Sequence, residues 1–546
     1  MKLKNLNLLI LLVASQPLLA ELAVIIKPVI DFTYLPITPS QKIPICPVKV
    51  GDDAISCPRI HQGIFNEIVD IIRTENQQVL AAVKNCYFQT DQNQAKQAQF
   101  WTSSKNLLLL SELGAQQSQI PAPIDYTQPE SLYNEQIVTL IAPYHSVATD
   151  QTYSAGTRFV LVPDSYSPQH PSTMLGTSDI KNNTITTHDT STTKNLTTDN
   201  LVNSPDTGAS NSKNNLAPHY QVYIYDPSSN KIIIDQIDQK LCLKLSADLL
   251  DFDHQQHRQL FITVLKQWLN HPVQLSSGPF TLEELTTNSK LSHQTSTSNI
   301  NSDTAKSKLT PQTKIKFNNN KSNHNKNNRK NSNKTKKPVS GNNSKIHKST
   351  SPKTTVIKRY IQPRPIAPFI PYVWGGCSYT TLCTDPYFQL KTVRSKHRPH
   401  AKPRRYFEYP TCHTQPYNGF DCAGLILRAA QASGIPYFYK NTFTILQNLE
   451  PLQPEDQIAN GDLIWLPAHI MIISDVEQNL CIEARHYAQG YGKVHETPIH
   501  KVFKDINNYQ DLRAAHFSQN LIDRLNRHQK SAQKVKIKIL KLKTTV

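Results

Sequence analysis

Residues 417–434 read YNGFDCAGLILRAAQASG, and this stretch sets a cysteine at the start of a short apolar helix. Asp421 is a residue type that caps helices, the apolar residues after it recur at helical spacing, and Gly434 suits the helix end. Cys422 would then lie in the first turn, where the partial positive charge of the helix N-terminus lowers a thiol pKa. Cys422 is therefore a candidate nucleophile, although a cysteine at a helix start is more commonly a small buried residue.

A nucleophilic thiol needs a base, and the sequence offers histidines downstream. The segment NGDLIWLPAHIMIIS predicts two apolar strands, 463–466 and 470–473, with His469 opening the second. The next predicted strand, LCIEARH, carries Glu483 and His486, and either side chain could orient that histidine. A cysteine, a histidine and a third polar residue in this order match the logic of papain-like catalysis.

Five short motifs accompany these residues in a fixed order along the chain. They are PYVWGG at 371–376, GFDCAGL at 419–425, NGDLIWL at 460–466, HIMII at 469–473 and IEA at 482–484. The ordered set resembles the NlpC-type papain-like cysteine peptidases of bacterial cell walls. The resemblance covers roughly residues 358–505, about a quarter of the chain.

The resemblance implies a role for each matching position. Cys422 would be the nucleophile and His469 the general base. Tyr372 would help to shape the substrate and oxyanion region, and Asp421 matches a residue linked in some members to a free amine on the substrate. The family implies hydrolysis of peptidoglycan stem peptides, often between γ-D-glutamate and a diamino acid, with no metal or organic cofactor.

The sequence departs from the family pattern close to these positions. Ala423 stands in place of the usual serine, whose hydroxyl can help hold the substrate amine, and Met471 stands in place of a glycine beside the cleft. The third polar position aligns best with Glu483, with His486 as the rival; a carboxylate there would stabilise an imidazolium. Two alternatives therefore stay open: a catalytically inactive wall-binding protein, and a related amidase or acyltransferase with the same Cys-His dyad.

An insertion at 377–418 is the largest departure, because the family has only a handful of residues there. It is basic and contains Cys377, Cys383 and Cys412, with His413 beside the last of them. A disulfide-tied loop over the cleft, a disordered basic loop and a zinc site are the three interpretations. The cysteine spacing fits no compact metal site, which makes zinc the least favoured of them.

The N-terminal half has short β-rich runs at intervals typical of small barrels, and apolar residues at helical spacing predict a helix within 251–270. These runs are similar to bacterial SH3-like modules, which often precede such peptidases and imply wall-peptide binding. The expected fold class is multidomain: N-terminal SH3-like β-barrel modules and a C-terminal α+β papain-like peptidase domain, joined by a disordered basic linker. The 546 residues divide into a signal peptide at 1–20, an SH3-like module at 21–118, a second module at 128–275 with a disordered insertion near 167–215 and a terminal helix, the linker at 276–357, the peptidase domain at 358–520 and a basic tail at 521–546.

The first residues predict export to the periplasm or beyond the cell. Two lysines precede an apolar run at 8–14, and Ala20 is a plausible cleavage point. Nine cysteines in an exported chain favour some disulfides, and the odd count leaves at least one thiol free. Cys46 and Cys57 flank a loop and could pair.

The formal net charge of +18 comes largely from one segment. Residues 306–359 contain sixteen Lys or Arg and no Asp or Glu. Such a linker can bind anionic cell-wall polymers or a membrane surface through electrostatics alone. Phe317 is its one aromatic residue before Tyr360, so stacking on bases, and with it specific nucleic-acid recognition, is poorly supported. The oligomeric state does not follow from the sequence.

Overall fold

The structure is a computed structural model that describes two long parts of the chain. These are residues 21–269, with gaps at 39–40, 42, 46, 51–52, 56, 90–96, 164–217, 247–248 and 250, and residues 368–544, with gaps at 384–388, 394–403, 409–415 and 487–490. The expected signal peptide, Thr- and Asn-rich insertion and basic linker lie outside the described residues. In the part of the chain that is described, no helix is long and apolar enough to cross a membrane.

The N-terminal strands form one antiparallel seven-stranded sheet with the order β5-β2-β8-β7-β6-β1-β9. A two-residue turn joins β6 and β7, and both of its residues, Asn76 and Gln77, have the positive φ that a type I′ hairpin requires. The strands are β1 Glu21–Ile25, β2 Val29–Thr33, β5 Arg59–Ile64, β6 Ile68–Glu75, β7 Gln78–Tyr87, β8 Gln97–Ser103 and β9 Leu107–Leu109; a separate hairpin consists of β3 Val48–Val50 and β4 Asp53–Ile55.

The segment that follows is built from small sheets and one long helix. Strand β10 lies between β13 and β16, while β11 pairs with β12 and β14 pairs with β15. The elements are α1 Leu110–Leu113, β10 Ile137–Leu140, β11 Tyr144–Ser146, β12 Gln151–Tyr153, β13 Arg158–Val160, β14 His219–Asp226, β15 Lys231–Asp238, β16 Cys242–Lys244 and α2 His254–Leu269. The helix expected within 251–270 is thereby confirmed. The described pairings do not join β5 to β9 into a ring, and the SH3-like assignment stays a prediction.

The C-terminal part centres on an antiparallel five-stranded sheet with the order β24-β23-β22-β21-β27. Helix α3 packs on β22 and β23 because its apolar residues share one core with Ile470, Ile472 and Ile482. The elements are β17 Cys377–Ser378, β18 Gln389–Val393, β19 Arg404–Glu408, β20 Gly419–Phe420, α3 Cys422–Ala432, α4 Thr442–Asn448, β21 Leu463–Leu466, β22 His469–Asp475, β23 Leu480–Arg485, β24 Lys493–Pro498, α5 Tyr509–Ser518, β25 Ile522–Leu525, β26 Ser531–Val535 and β27 Lys538–Leu540.

The segment expected to be a basic tail at 521–546 is folded, which corrects that expectation. Strand β27 pairs with β21 at the edge of the five-stranded sheet, and β25 pairs with β26. Val535, Ile537 and Ile539 are buried and alternate with lysines. This period of two is the pattern of a strand with one face on the core, so the lysines occupy its other face.

The two described parts pack together as one compact unit. Trp268 of α2 stacks on Phe420 with ring centroids 5.3 Å apart, and its indole N–H donates to the Ile141 carbonyl at 2.7 Å. The Gln62 side chain accepts from the Cys377 N–H at 3.0 Å. The whole is a mixed, sheet-rich fold with several small sheets and few helices, in which the N-terminal strands contribute directly to the surroundings of α3.

Candidate active site

Cys422 is the first residue of α3, and two close backbone approaches determine its position. The Asp421 side chain caps the helix by accepting from the Gly424 N–H at 2.5 Å, and the Asp421 N–H donates to the Gly376 carbonyl at 3.1 Å. A Cβ on Gly424 would lie 2.0 Å from that carbonyl oxygen. Glycine is therefore required there, and the motifs PYVWGG and GFDCAGL meet at the start of the helix.

The surroundings of the Cys422 thiol favour its protonated form. Cys422 is half-buried, and burial raises the pKa of its thiol to about 12, with a further increase from the Asp421 carboxylate. Hydrogen bonds from the Ile470 and Ala423 N–H groups oppose this increase without cancelling it. The thiol pKa is therefore raised overall, opposite to the direction expected for a helix start, because loss of hydration outweighs the hydrogen bonds that favour the thiolate.

His469 is the first residue of β22 and directly precedes Ile470, whose backbone N–H reaches the Cys422 sulfur. Its Nε2 lies 2.9 Å from Glu483 Oε2. Burial and the Arg524 charge lower the pKa of His469 to about 4, although Glu483 acts in the opposite direction. At neutral pH the imidazole is uncharged, and with Nε2 on the carboxylate, Nδ1 is the nitrogen that can accept a proton.

Glu483, one of the two candidates for the third polar position, lies on β23 and is buried against His469. Burial alone would raise its pKa, but the His469 hydrogen bond and the Arg524 charge hold the pKa well below the usual carboxyl range. His486 follows β23, and its ring lies 6.0 Å from that of Tyr372 in an edge-to-face contact. The geometry thus favours Glu483 over His486 as the residue that orients the base.

Asp421 makes an ion pair that the sequence did not indicate. The Lys440 ammonium lies 3.0 Å from Oδ1 and 2.8 Å from Oδ2, and the Lys440 side chain is 1% exposed. The carboxylate expected to meet a substrate amine is therefore already bound to an amine of this chain. Backbone hydrogen bonds from Tyr87 to Phe438 and from Lys440 to Tyr87 tie this lysine to strand β7.

Lys440 and Arg524 are thus the two site residues that sequence reasoning missed. Lys440 stands in the aromatic run YFYKN, where a lone lysine in an apolar segment is a weak signal of a buried ion pair. Arg524 precedes the lysines of the expected tail, in the run LIDRLNR, and nothing in this run marks it as a buried partner of Glu483.

Among the described cysteines, the expected bridge at Cys57 does not form. Cys57 and Cys377 are free thiols, which corrects the Cys46–Cys57 pair and removes Cys377 from a disulfide-tied insertion. The Cys57 thiol instead donates to the Pro44 carbonyl at 3.2 Å. Strands β18 and β19 form a hairpin within the insertion.

Metal ligation was one of the alternatives for the same insertion. Within the described ranges, no group of three His, Cys, Asp or Glu residues is arranged to hold a metal ion. Cys412 and His413, the remaining candidates, lie outside those ranges.

Comparisons with known proteins give distant structural likenesses alone. No protein-family model matches the sequence, and no curated protein matches it. A crystal structure described as an NlpC/P60 family protein from Bacillus cereus ATCC 10987 matches with 11% identity and a TM-score of 0.38, covering 88% of this chain and 94% of that one. A structure described as NlpC2 from Trichomonas vaginalis matches with 7% identity and a TM-score of 0.24, covering 88% and 93%. Both scores are low, so the candidate site stands on its own geometry.

Proposed function

We propose that this chain is a cysteine peptidase that hydrolyses peptidoglycan stem peptides, at the bond between γ-D-glutamate and a diamino acid. The observation that carries the proposal is the pairing of elements at the start of α3. Cys422 lies against β22, whose first residue, His469, is held by the buried carboxylate of Glu483. A thiol, a neutral imidazole and an orienting carboxylate in this order can perform acyl transfer.

In the proposed reaction the proton moves with the attack, because the resting thiol is protonated. Nδ1 of His469 accepts the Sγ proton as the sulfur attacks the carbonyl carbon, and Glu483 stabilises the imidazolium that results. The imidazolium then gives this proton to the leaving amine, and the carbonyl remains bound to Cys422 as a thioester. Water, deprotonated by the same histidine, hydrolyses the thioester and restores the thiol.

The test is a comparison of products from residues 21–546 and from a Cys422→Ala variant, each incubated with purified stem peptides and muropeptides. Mass spectrometry should find fragments cut beside γ-D-glutamate with the unchanged protein and not with the variant. Identical products from both proteins would refute the peptidase. A Glu483→Gln variant should retain the fold and lose activity by about 10-fold or more, since it weakens imidazolium stabilisation.

The Asp421–Lys440 pair favours a second candidate, an amidase or acyltransferase that uses the same dyad. With its carboxylate bound to Lys440, Asp421 does not offer a free anion to a substrate amine, so an amide or ester without a neighbouring amine becomes the better substrate. Peptides with acetylated and free N-termini separate the two candidates. A preference for the blocked peptide would support the second.

The proposal places the protein in the cell envelope, with the linker at 276–357 in contact with anionic wall polymers or membrane surfaces. Its support is the charge of that segment alone. Co-sedimentation with purified cell walls should fall steeply with salt and should be lost when residues 306–359 are deleted; salt-independent sedimentation would contradict it. If Cys422→Ala also sediments and the unchanged protein makes no new fragments, the inactive wall-binding alternative is correct.

A further inference from the structure

The Glu483 carboxylate is surrounded by basic groups from four strands. His469 Nε2 and Arg524 Nη2 both contact the same oxygen, Oε2, at 2.9 and 2.8 Å. His495 Nε2 and Arg485 Nη1 face the other oxygen, Oε1, at 3.5 and 3.9 Å. The shortest of these contacts comes from β25, which lies beyond the region covered by the sequence motifs.

The backbone on both sides of the β25 arginine is held in place. The Asp523 carbonyl accepts from the Lys504 N–H, and the Leu525 N–H donates to the Val502 carbonyl, each at 2.8 Å. The Leu525 carbonyl also accepts from Arg485 Nη1 at 2.8 Å. The guanidinium therefore approaches Glu483 from a strand that is fixed by its neighbours, not from a mobile end of the chain.

Resting on the function proposed above, we propose that Arg524 is a positioning residue for the thiol's base: it fixes the Glu483 carboxylate, and thereby holds His469 as the neutral tautomer protonated at Nε2. A guanidinium cannot lose its proton in proteins, so it occupies one lone pair of Oε2 at every working pH. The remaining lone pair accepts from His469 Nε2–H. Nδ1 is then left unprotonated, which is the state that can take the Cys422 proton.

The charge of Arg524 also favours the neutral form of His469, as the hydrogen-bond geometry does. After burial, the Arg524 charge is the largest influence that lowers the pKa of His469, and Glu483 opposes it through its hydrogen bond and its charge. The other titratable or charged groups around the pair are Arg485 and Cys481 on β23, His495 on β24 and Cys422 at the start of α3. Removal of Arg524 should therefore raise the pH at which His469 titrates.

The test measures this titration without requiring catalysis. In a Cys422→Ala background, the imidazole resonances are followed by NMR against pH, and His469 is assigned by their loss in His469→Asn. The Arg524→Gln substitution should move the His469 midpoint upward by about one pH unit or more. Arg524→Lys retains the charge without the planar fork and should give a smaller shift. A midpoint that does not move in Arg524→Gln overturns the proposal.

The matched control is Arg258→Gln, which removes a buried guanidinium from a 2.7 Å pair with Asp462 that includes neither His469 nor Glu483. It should leave the His469 midpoint in place. A shift in this control as large as in Arg524→Gln would reduce Arg524 to a structural role. If Arg524→Gln does not fold, Arg524→Lys decides the proposal. The His469 midpoint in Arg524→Lys must then differ from the midpoint in the chain with Arg524 intact.

In the enzyme with Cys422 intact, the acid limb of kcat/KM should move upward by the same amount as the NMR midpoint. The peptidase assay and the NMR midpoint of His469 test the two proposals independently. A chain that cuts no stem peptide but shows the His469 shift would refute the peptidase and retain the role of Arg524. A chain that cuts stem peptides, but whose acid limb and NMR midpoint are both unchanged in Arg524→Gln, would support the peptidase and refute the role of Arg524.

Discussion

At the scale of single residues, the candidate dyad is a neutral pair. Burial keeps the Cys422 thiol protonated, and burial together with Arg524 keeps His469 uncharged. In an ion-pair dyad the thiolate already exists in the resting state, whereas here the proton has to move during the attack. This difference has a direct chemical signature.

Alkylation of Cys422 by iodoacetamide should accelerate steadily between about pH 5 and pH 9, because the reactive thiolate becomes more abundant as pH rises towards a pKa near 12. Peptide mapping assigns the label among the nine cysteines. His469→Ala is the comparison and should give the same profile. A rapid plateau at acidic pH that disappears in His469→Ala would mean that an ion pair forms after all.

The pair of Lys440 and Asp421 supports a second prediction at this scale. Lys440→Met leaves a largely buried carboxylate without its ammonium, which should lower the free energy of unfolding by about 3–5 kcal/mol. Lys543→Met, which removes an exposed ion pair with Glu450 at 2.8 Å, should cost no more than about 1 kcal/mol. Urea unfolding measures both. Equal costs for the two variants would show that the Lys440 pair contributes no more than a surface contact.

At the scale of elements, the last strand supplies an edge to the sheet that carries the candidate base. Ile539 is fully buried on β27, opposite Ile464 of β21. Ile539→Ala should lower the free energy of unfolding by about 2–4 kcal/mol, whereas Lys536→Ala, at an exposed position, should change it by less than about 0.5 kcal/mol. Chemical denaturation compares the two. A similar small effect from both would mean that β27 is not part of the core.

Local pattern was sufficient for some elements and insufficient for others. It predicted α2, α3, β21 and β22, because each has an unbroken apolar period bounded by caps or turns. It missed β27, because the many lysines of 521–546 predict a basic tail although Ile537 and Ile539 have the period of two of a strand. It also missed the Lys440–Asp421 and Arg524–Glu483 pairs and the raised pKa of Cys422, because these depend on burial and on contacts between distant segments.

At the scale of the whole molecule, the N-terminal strands and the C-terminal sheet share one interface of buried polar contacts. Arg428 of α3 forms a 2.7 Å pair with Glu67, and the Arg59 guanidinium donates to the Trp374 carbonyl at 3.2 Å. The expected organisation, modules joined by a long linker, implies parts that separate when the linker is cut. The observed contacts instead imply that the two described parts stay together when the linker is cut.

Cleavage at a protease site inserted into 276–357 should therefore leave the two fragments together. The nicked protein should elute as one species in size-exclusion chromatography and should unfold in one transition, because both fragments contribute to the same core. An Arg428→Met variant weakens the interface and should release the fragments at lower urea than Lys536→Ala does. Separation of the fragments without denaturant would show that they are independent modules.

The contact between Gln62 and Cys377 joins positions 315 residues apart, and β27 at Lys538–Leu540 pairs with β21 at Leu463–Leu466. Contacts of such long range form slowly because loop-closure entropy opposes them, so the N-terminal strands keep apolar surface exposed at least until the residues around Cys377 have been synthesised. A chain that stops early lacks both β27 and the arginine that contacts Glu483. Assembly of the candidate site thus depends on synthesis of the segment that carries Arg524 and β27, and a product truncated before this segment would lack the guanidinium that contacts Glu483.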